Sequence, residues 1–460
     1  MAGMFSKSEG ETCRLLDAGA GIGSLSAAFL KKWETGDFDF KNVELDAVEI
    51  DETLLPQLEQ TFEIYGKCNN FSYIIRNIDF IEAAVDSLRG SLFSETLPKY
   101  THAILNPPYR KIGSNSRHRT ALRQIGLETV NLYSAFVALS LALLEKNGEL
   151  VAIIPRSFCN GPYYLPFRKF IMLRSAIRKI HLFKSRAKAF KDDNVLQENV
   201  ILKMERGGRQ GDVEISTSTD DTFIDIQTIS HPFNSIICPK DPHFFIHIPT
   251  SLKKNLIQQS GSITRSLDDI GIMVSTGPVV DFRLKEFLRD DPETDTVPLL
   301  YPGHFNDNKM DWPKPGFKKP NAIKWNEKTE KWLYPNGHYC VVRRFSSKEE
   351  KRRIVSCVVN PDRFKDMQML GFENHLNVFH DKRAGLPKLV AYGLATYLNS
   401  TAVDENFRKF NGHTQVNATD LRSIKYPKRE TLMALGEWFI NIDGQPTQDL
   451  IDEQLKKMDK

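Results

Sequence analysis

The chain contains 460 residues with a formal net charge of +4, and 41% of its residues are hydrophobic. This length allows two domains with sizeable cores, whereas a charge so close to balance does not by itself indicate a partner. The sequence has neither a signal peptide nor an apolar run long enough to span a bilayer, and its six cysteines form no C-x-x-C pair. We therefore expect a cytoplasmic protein with reduced thiols, no membrane contact and no metal site.

The first predicted element is a short apolar strand that ends at Asp17 and runs into alternating glycines at Gly19, Gly21 and Gly23. Apolar residues at helical spacing follow this turn. A strand, a tight glycine turn and a helix form the nucleotide-binding half of a doubly wound α/β fold, where glycine lets the backbone approach a ligand closely. This order of elements predicts a Rossmann-like sheet.

A second strand, 45–51, brings acidic residues near the spacing expected of a ribose-binding acid. Glu49 or Asp51 can accept hydrogen bonds from the ribose hydroxyls, and the alternative is a helix cap or a solvated charge. A third strand leads to Asp79 and Phe80. Asp79 can accept from an adenine amino group while Phe80 packs against the ring, and the alternative for Asp79 is again a helix cap.

A fourth apolar run leads into Asn106-Pro107-Pro108-Tyr109, called the tetrad below. Neither proline can donate to a sheet ladder, so the pair predicts a stiff, extended exit from a buried strand. The Asn106 amide oxygen and the Pro107 carbonyl can accept both hydrogens of an amino group, and the Tyr109 ring can stack on a flat ligand. The alternative is a proline-rich turn that begins at Asn106.

Taken in order, residues 17–23, 49–51, 79–80 and the tetrad resemble the motif series of S-adenosylmethionine-dependent amino-methyltransferases. They are most similar to N6-adenine DNA methyltransferases of bacterial type II restriction–modification systems, in the group whose cofactor motif comes first and whose recognition domain comes last. The resemblance continues at three further segments, 131–136, 146–157 and 412–421. As an ordered series these motifs are specific, although each alone is not.

The resemblance implies S-adenosyl-L-methionine as the cofactor and the tetrad as the catalytic residues. The implied cofactor-binding residues are Asp17, Gly19, Gly21, Gly23, Glu49, Ile50, Asp79 and Phe80. Phe190 resembles the family's second stacking aromatic. Family members also carry a Thr-Pro turn and a helix ahead of the first strand, and residues 1–5 resemble the tail of that helix. The rest of that segment is missing from this sequence, so the resemblance predicts a weakened cofactor site.

Basic side chains follow the tetrad at Lys111, Arg117 and Arg119, within an expected flexible polar loop at 106–128. A second basic run, 168–191, contains no acid. Basic clusters neutralise phosphates and supply most of the sequence-independent affinity for DNA. These clusters favour double-stranded DNA as the substrate, and the alternative is a solvated helix face.

The predicted organisation has three parts. Residues 1–247 form the methyltransferase domain, residues 248–427 a target-recognition domain of mixed α+β character, and residues 428–460 a helical tail. The second part is rich in Pro, Gly, Asn and aromatic residues, a composition typical of irregular structure.

Candidates for base-edge contacts in the second domain are Thr414, Gln415 and Asn417, whose side chains carry suitable donors and acceptors. The alternative is local turn and cap bonding, with Thr419 as the cap of the next helix.

The mechanism implied by the tetrad is direct methyl transfer to an adenine flipped out of the duplex. Asn106 and the Pro107 carbonyl hold the amino hydrogens, Tyr109 stacks on the base, and positioning supplies most of the rate gain. No cysteine lies beside the tetrad, which argues against a covalent cytosine-C5 route. The resemblance also implies a separate restriction endonuclease that shares the target site. We expect this protein to be a monomer.

Other classes remain open. A protein-glutamine methyltransferase shares the logic of the tetrad, but it usually lacks a large C-terminal domain. An RNA amino-methyltransferase uses the same kind of pocket, and a nicotinamide dehydrogenase explains the glycine turn but not the tetrad. A non-catalytic DNA-binding relative with an incomplete cofactor site is the last alternative.

Overall fold

The computed structural model describes residues 1–6, 9–66, 69–90, 96–184, 198–239, 241–306 and 309–459. Two units divide the chain, Met1–Leu252 and Lys253–Lys460. The sequence predicts a separate helical tail over residues 428–460. In the structure these residues belong to the second unit.

The first unit is built on a nine-stranded sheet. Its strands are β1 (Glu9–Ala18), β2 (Asp39–Val48), β3 (Phe71–Arg76), β4 (Tyr100–Leu105), β5 (Leu144–Pro155), β6 (Ser175–Phe183), β7 (Asn199–Arg206), β8 (Val213–Ser218) and β9 (Gln227–His231). Their spatial order is β3-β2-β1-β4-β5-β7-β6-β8-β9. The strands β3, β2, β1, β4 and β5 run parallel, and β7 is antiparallel to both of its neighbours.

Helices cover both faces of this sheet. They are α1 (Ser24–Glu34), α2 (Leu55–Glu63), α3 (Phe80–Arg89), α4 (Arg117–Gln124), α5 (Leu132–Leu143), α6 (Leu165–Arg174) and the short α7 (Phe233–Ile236). Because neighbouring strand residues point to opposite faces, Leu15 joins the core that contains Phe29 of α1, whereas Leu16 joins the core that contains Leu139 of α5. The predicted doubly wound α/β fold is confirmed.

The second unit contains two small sheets and a hairpin. Its strands are β10 (Met273–Thr276), β11 (Leu288–Arg289), β12 (Thr296–Leu300), β13 (Phe305–Asn306), β14 (Lys309–Met310), β15 (Ala322–Lys324), β16 (Leu333–Pro335), β17 (Tyr339–Arg343), β18 (Ser356–Val359), β19 (Met369–Phe372) and β20 (Leu376–His380). The sheet orders are β10-β20-β17-β18 and β11-β15-β12-β19-β16, and β13 pairs with β14. This mixed α+β character agrees with the composition of the segment.

The helices of the second unit are α8 (Leu256–Gln259), α9 (Lys388–Leu398), α10 (Thr401–Phe410), α11 (Ala418–Ser423), α12 (Arg429–Asn441) and α13 (Gln448–Met458). Two glycines face each other where α9 and α12 cross. A Cβ atom added to Gly393 would lie 1.7 Å from the Leu432 carbonyl oxygen, and one added to Gly436 would lie 1.9 Å from the Leu389 carbonyl oxygen. The helix backbones therefore touch at a separation that only glycine permits.

Among the described residues, no helix combines the length and apolarity needed to cross a membrane. The five described cysteines are free thiols, and four of them, Cys13, Cys159, Cys340 and Cys357, are buried.

Candidate active site

Four neighbouring parallel strands end at one edge of the large sheet, and a predicted motif follows each of them. Ala18 of β1 lies opposite Val48 of β2, Val48 lies opposite Arg76 of β3, and Asp17 lies opposite Ile104 of β4. The strand order reverses direction between β1 and β4. The carboxyl edge at such a reversal is where open α/β sheets bind their ligands.

The glycine turn after β1 has the backbone that its sequence predicts. Gly19, Gly21 and Gly23 have φ values of +76°, +56° and +82°, a region that side chains other than glycine rarely adopt. A Cβ atom on Gly19 would lie 3.5 Å from Phe136 Cε1 and 4.0 Å from Pro108 Cδ. The glycine turn and the tetrad are thus in direct proximity.

Asp17, the last acidic residue of β1, is almost completely buried. Its Oδ2 accepts a 2.6 Å hydrogen bond from the Ser26 hydroxyl, whereas its Oδ1 has no hydrogen-bond partner among the described residues. Burial raises the pKa of the Asp17 carboxyl to about 7, against the opposing effect of the Ser26 hydrogen bonds. An unpaired buried carboxylate oxygen at this edge fits a cationic ligand group.

The raised pKa of Asp17 predicts how stability depends on pH. An aspartate in the unfolded chain loses its proton near its ordinary pKa of 3.8, whereas the folded protein keeps this proton up to about pH 7. The free energy of unfolding should therefore fall as the pH rises from about 4 to 7. Asp17→Asn should remove this contribution, so the variant should gain stability relative to the wild type across that window. Thermal melting of both proteins between about pH 5 and pH 8 measures the difference; a pH-independent difference would contradict it.

Glu49, the candidate ligand of the ribose, hydrogen-bonds to the backbone of the glycine turn. Its Oε2 accepts from the Gly21 backbone N–H at 2.8 Å, and its Oε1 accepts from the Asp51 N–H at 2.9 Å. The neighbouring Ile50 is 61% exposed, an unusual position for an isoleucine beside a buried carboxylate. Asn77 donates to the carbonyls of Glu49 and Ile50, a supporting contact that sequence analysis missed.

Asp79 occupies the N-terminus of α3 and caps it. Its Oδ1 accepts from the backbone N–H groups of Ile81 and Glu82 at 3.0 and 3.2 Å, which is the capping alternative considered for this residue. Its Oδ2 lies 2.7 Å from His118 Nε2. One carboxylate oxygen is therefore used by the helix and the other by a side chain 39 residues away, which no local pattern reveals.

Arg117 contacts the same acidic group. Its Nε lies 3.0 Å from Glu82 Oε1 and its Nη2 lies 3.4 Å from Asp79 Oδ2. Asp79, Glu82 and His118 offer three possible metal ligands within 4.8 Å of one another, but the guanidinium already supplies a cation to both carboxylates. The arrangement supports a side-chain ion cluster rather than a metal site.

Phe80 is buried at the start of α3, and its ring centroid lies 4.9 Å from that of Phe136 at an interplanar angle of 45°. Phe136 of α5 is also the residue that a Cβ atom added to Gly19 would meet first. The two rings thus form an apolar wall beside the glycine turn.

The tetrad follows directly from Leu105, the last residue of β4. Asn106 and Pro108 are exposed, whereas Pro107 is buried. The Tyr109 hydroxyl lies 3.3 Å from both Asn106 Oδ1 and the Ile153 carbonyl oxygen, so it can donate to either. The amide that we predict to be catalytic is therefore open to solvent and is oriented by a long, weak contact from within the tetrad.

Tyr109 of the tetrad forms a cluster with two further tyrosines, Tyr133 and Tyr164, that sequence analysis did not identify. Tyr133 packs edge-on to Tyr109, with ring centroids 6.2 Å apart, and stacks on Tyr164 at 6.0 Å. Tyr133 hydrogen-bonds to Ser157 at 3.1 Å, and Asn131 Nδ2 donates to the Tyr164 hydroxyl at 2.6 Å. The resemblance of 131–136 and 146–157 to family segments marked the region but not these contacts.

The basic residues after the tetrad have different roles in the structure. Lys111 is exposed beside the tetrad. Arg119 is largely buried, donates to the Thr129 carbonyl and pairs with Glu128 at 2.6 Å. The expected flexible loop at 106–128 instead contains helix α4, which the Ser116 hydroxyl caps.

In its described part, 168–184, the basic run 168–191 is not the free cationic face that was expected. Arg168 is completely buried and donates to the carbonyls of Phe158, Asn160, Gly161 and His243. Three further members pair with acids from distant segments: Arg178 with Glu205, Lys179 with Glu214 and Lys184 with Asp225. The prediction failed here because it counted only acids close in sequence. The rest of the run, with Phe190, lies outside the described residues.

The predicted base-reading residues of the second unit differ in exposure. Asn417 is the N-cap of α11, and its backbone N–H and side-chain amide lie 3.1 and 3.3 Å from Asp420 Oδ2. The expectation that Thr419 caps this helix is wrong, because the helix begins at Ala418 and Thr419 lies inside it. Thr414 is exposed and Gln415 is half-buried. Only these two leave their side chains available.

Thr414 and Gln415 adjoin a surface that we name the aromatic–basic surface, formed with Arg344, Phe345 and His375. Phe345 and Gln415 form an antiparallel bridge, and the Arg344 N–H donates to the His375 carbonyl at 2.8 Å. Phe345 is 39% exposed, and its ring centroid lies 5.0 Å from that of His375. Three loops distant in sequence thus present aromatic, basic and amide groups together.

The His375 imidazole contacts the buried carboxylate of Glu373. Glu373 has a completely buried side chain, and its Oε1 lies 2.6 Å from His375 Nδ1. Burial raises the pKa of the Glu373 carboxyl, opposed by the contacts from His375. Because Nδ1 is engaged with this acid, Nε2 is the nitrogen left for an external partner.

Comparisons with known proteins agree with this geometry. A family model described as "Eco57I restriction-modification methylase" matches residues 31–190. The chain is 53% identical over 460 residues to the type II methyltransferase M.BsuBI of Bacillus subtilis, covering 100% of this chain and 91% of that protein. It is 43% identical over 464 residues to the type II methyltransferase M.PstI of Providencia stuartii, covering 98% and 89% of the two.

A solved structure also shares the fold. The type IIL restriction–modification enzyme MmeI, determined in complex with DNA, aligns with a TM-score of 0.56 over 97% of this chain and 68% of that chain, at 12% identity. The fold and its carboxyl edge define an S-adenosylmethionine-dependent methyltransferase. The chain belongs to the type II DNA methyltransferases of restriction–modification systems.

Proposed function

We propose that this protein transfers the methyl group of S-adenosyl-L-methionine to the N6 amino group of an adenine flipped out of duplex DNA. The observation that carries the proposal is the proximity of Gly19 to Pro108, which joins the cofactor turn to a tetrad whose Asn106 is solvent-exposed. An amino group held by Asn106 would then lie at the same edge as the cofactor.

The residues present fit the cofactor. The unpaired Asp17 oxygen suits the ammonium of its methionine portion, and the remaining lone pairs of the Glu49 carboxylate suit the ribose hydroxyls. The N–H groups of Gly19, Gly21 and Gly23 already donate within the protein, so the glycines serve to let the backbone approach the ligand closely. Ile50, Asp79 and Phe80 would surround the adenine. When bound, S-adenosylmethionine supplies an electrophilic methyl group. Asp79 Oδ2 must share its His118 contact to receive an adenine amino group.

The tetrad would act on the target base. Asn106 Oδ1 and the Pro107 carbonyl accept the two N6 hydrogens, which draws the nitrogen lone pair out of the ring and stabilises the positive charge that develops there. Tyr109 stacks on the base, and its weak contact with Asn106 is given up when the amino group arrives. The N–C bond forms as the S–C bond breaks, and the N6 proton leaves to solvent.

The aromatic–basic surface is our candidate for base readout in the second unit. Arg344 carries donors for guanine or phosphate, the His375 Nε2 offers a donor or an acceptor according to its tautomer, and Gln415 carries the paired donor and acceptor that match an adenine edge. Their clustering supports readout more strongly than any one residue does.

Alanine at His375 or Gln415 should lower methylation of the cognate site by about 5–150-fold, the effect expected for one lost base contact. The control is Lys365→Ala, an exposed change in the same unit outside this surface. Initial rates on cognate duplexes with single substitutions measure the effect. Unchanged rates and unchanged site preference in both variants would rule out this surface as the reader.

Expression in a host that lacks adenine methylation, followed by modification-aware sequencing, tests the proposed activity itself. The expected result is N6-methyladenine at one recurrent DNA sequence, and DNA modified there should resist cleavage by a cognate endonuclease. We also expect the protein to be a cytoplasmic monomer. Methylcytosine, or unmodified DNA with methylated RNA or protein, would contradict the adenine assignment.

A further inference from the structure

A second cleft in the first unit lies at the opposite edge of the sheet from the tetrad. It has a volume of about 720 Å³ and is bounded by α3, α5, α6 and the turn after β7. Lys99 at its rim immediately precedes β4, whereas Asn106 immediately follows it. At about 3.3 Å per strand residue, the two ends of β4 are roughly 20 Å apart. The cleft is therefore separate from the candidate active site.

Five basic side chains line this cleft: Arg89, Lys99, Lys146, Arg174 and Arg206. Among the described residues no carboxylate lines it. The pKa of Lys99 is lowered by burial and then by the nearby Arg206, with Glu145 acting in the opposite direction. Glu145 itself pairs with Arg14 at 2.6 Å. The cations thus repel one another with little local compensation.

Helix capping explains part of this charge. Lys99 Nζ donates to the Ala142 carbonyl near the end of α5, and Arg89 and Arg174 lie in the last turns of α3 and α6, where cations offset the helix dipole. Lys146 and Arg206 belong to strands β5 and β7 and cap no helix. Their presence needs another explanation.

The turn after β7 holds these two residues at the cleft. The Gly207 N–H donates to the Arg174 carbonyl at 2.8 Å, and a Cβ on Gly207 would lie 3.6 Å from Lys146 Cγ. Phe170 forms part of the wall, with the Arg174 guanidinium 4.1 Å from its ring centroid. Apolar residues such as Leu139 complete the floor. The site combines several cations with an apolar base, at a volume typical of small-ligand pockets.

The geometry points to a binding site for a phosphate-bearing ligand in this cleft, with Lys146 and Arg206 as its principal phosphate contacts. Two or more phosphates match several converging cations better than one carboxylate does, and the apolar floor accommodates an attached organic group. The site does not depend on the proposed methyl transfer, because its residues belong to neither the tetrad nor the cofactor edge.

The test measures binding of inorganic pyrophosphate to the full chain by isothermal titration calorimetry, in the absence of DNA and S-adenosylmethionine. The double variant Lys146→Gln/Arg206→Gln should bind pyrophosphate about tenfold more weakly or worse. The matched control, Lys31→Gln/Lys41→Gln, removes two exposed charges elsewhere in the same unit and should bind as the wild type does. Melting without ligand verifies that both variants fold.

Each outcome decides the proposal. No pyrophosphate binding by the wild type, or equal binding by the double variant, would overturn it. If the proposal holds, displacement of pyrophosphate by ATP identifies a free phosphate compound as the source of the phosphate, and displacement by a short duplex identifies a nucleic-acid backbone.

Discussion

Asn106→Ala is expected to lower methyl transfer by about 10²–10³-fold or more while the protein stays folded and still binds its target duplex. The side chain is exposed, so its removal leaves no cavity, and its Oδ1 is contacted only weakly by Tyr109. The loss should be in kcat, because the amide stabilises charge that develops on the target nitrogen as the methyl arrives. Single-turnover methylation and a binding assay on the same duplex separate the two effects.

The matched control for this variant is Asn115→Ala, an exposed asparagine in the segment after the tetrad. It should methylate at the wild-type rate. Tyr109→Ala should differ from both by weakening binding of the flipped base, since it removes a ring rather than an acceptor. Full activity of Asn106→Ala would show that the tetrad is a structural turn and that the reaction takes place elsewhere.

Gly393→Ala is expected to destabilise the second unit by about 3 kcal/mol or more, the upper range for overpacking a buried contact. The added methyl would lie 1.7 Å from the Leu432 carbonyl oxygen, so α9 and α12 must separate. Alanine stabilises an isolated helix by about 1 kcal/mol relative to glycine, which is too little to offset this clash. The expected fall in melting temperature of this unit is roughly 6–12 °C.

Gly261→Ala supplies the control for that substitution. A Cβ at this position meets no atom within 4 Å, and its backbone is not in the left-handed region. Its melting temperature should stay near that of the wild type. If Gly393→Ala melted as the control does, the two helices would not be in contact in solution, and the packing of the second unit would need revision.

Much of the carboxyl edge was predictable because its signals are local. A glycine with positive φ, an acid one strand later and a proline pair at a strand exit each report a backbone requirement within a few residues. Parallel strand pairing then assembles them at one edge, since loops after neighbouring parallel strands must emerge side by side. The predictions for the glycine turn and for the sheet needed no knowledge of distant contacts.

The basic clusters show the opposite case. Arg168 looks like a phosphate ligand in sequence but is buried against four backbone carbonyls, and Arg119 anchors a loop. The partners of Arg178 and His118 are 27 and 39 residues away. Ion pairing is a property of the folded surface, because an acid from another strand neutralises a cation as well as an adjacent one does.

The fold class and the place of the glycine turn and tetrad at one edge of the sheet thus follow from sequence, because backbone conformation and strand direction are encoded in short segments. Tertiary structure alone decided which cations stay free, which tyrosines support Tyr109, and which loops join Gln415 to Phe345 and His375. Those features depend on side chains that meet across long stretches of chain, and a linear pattern carries no distance between them.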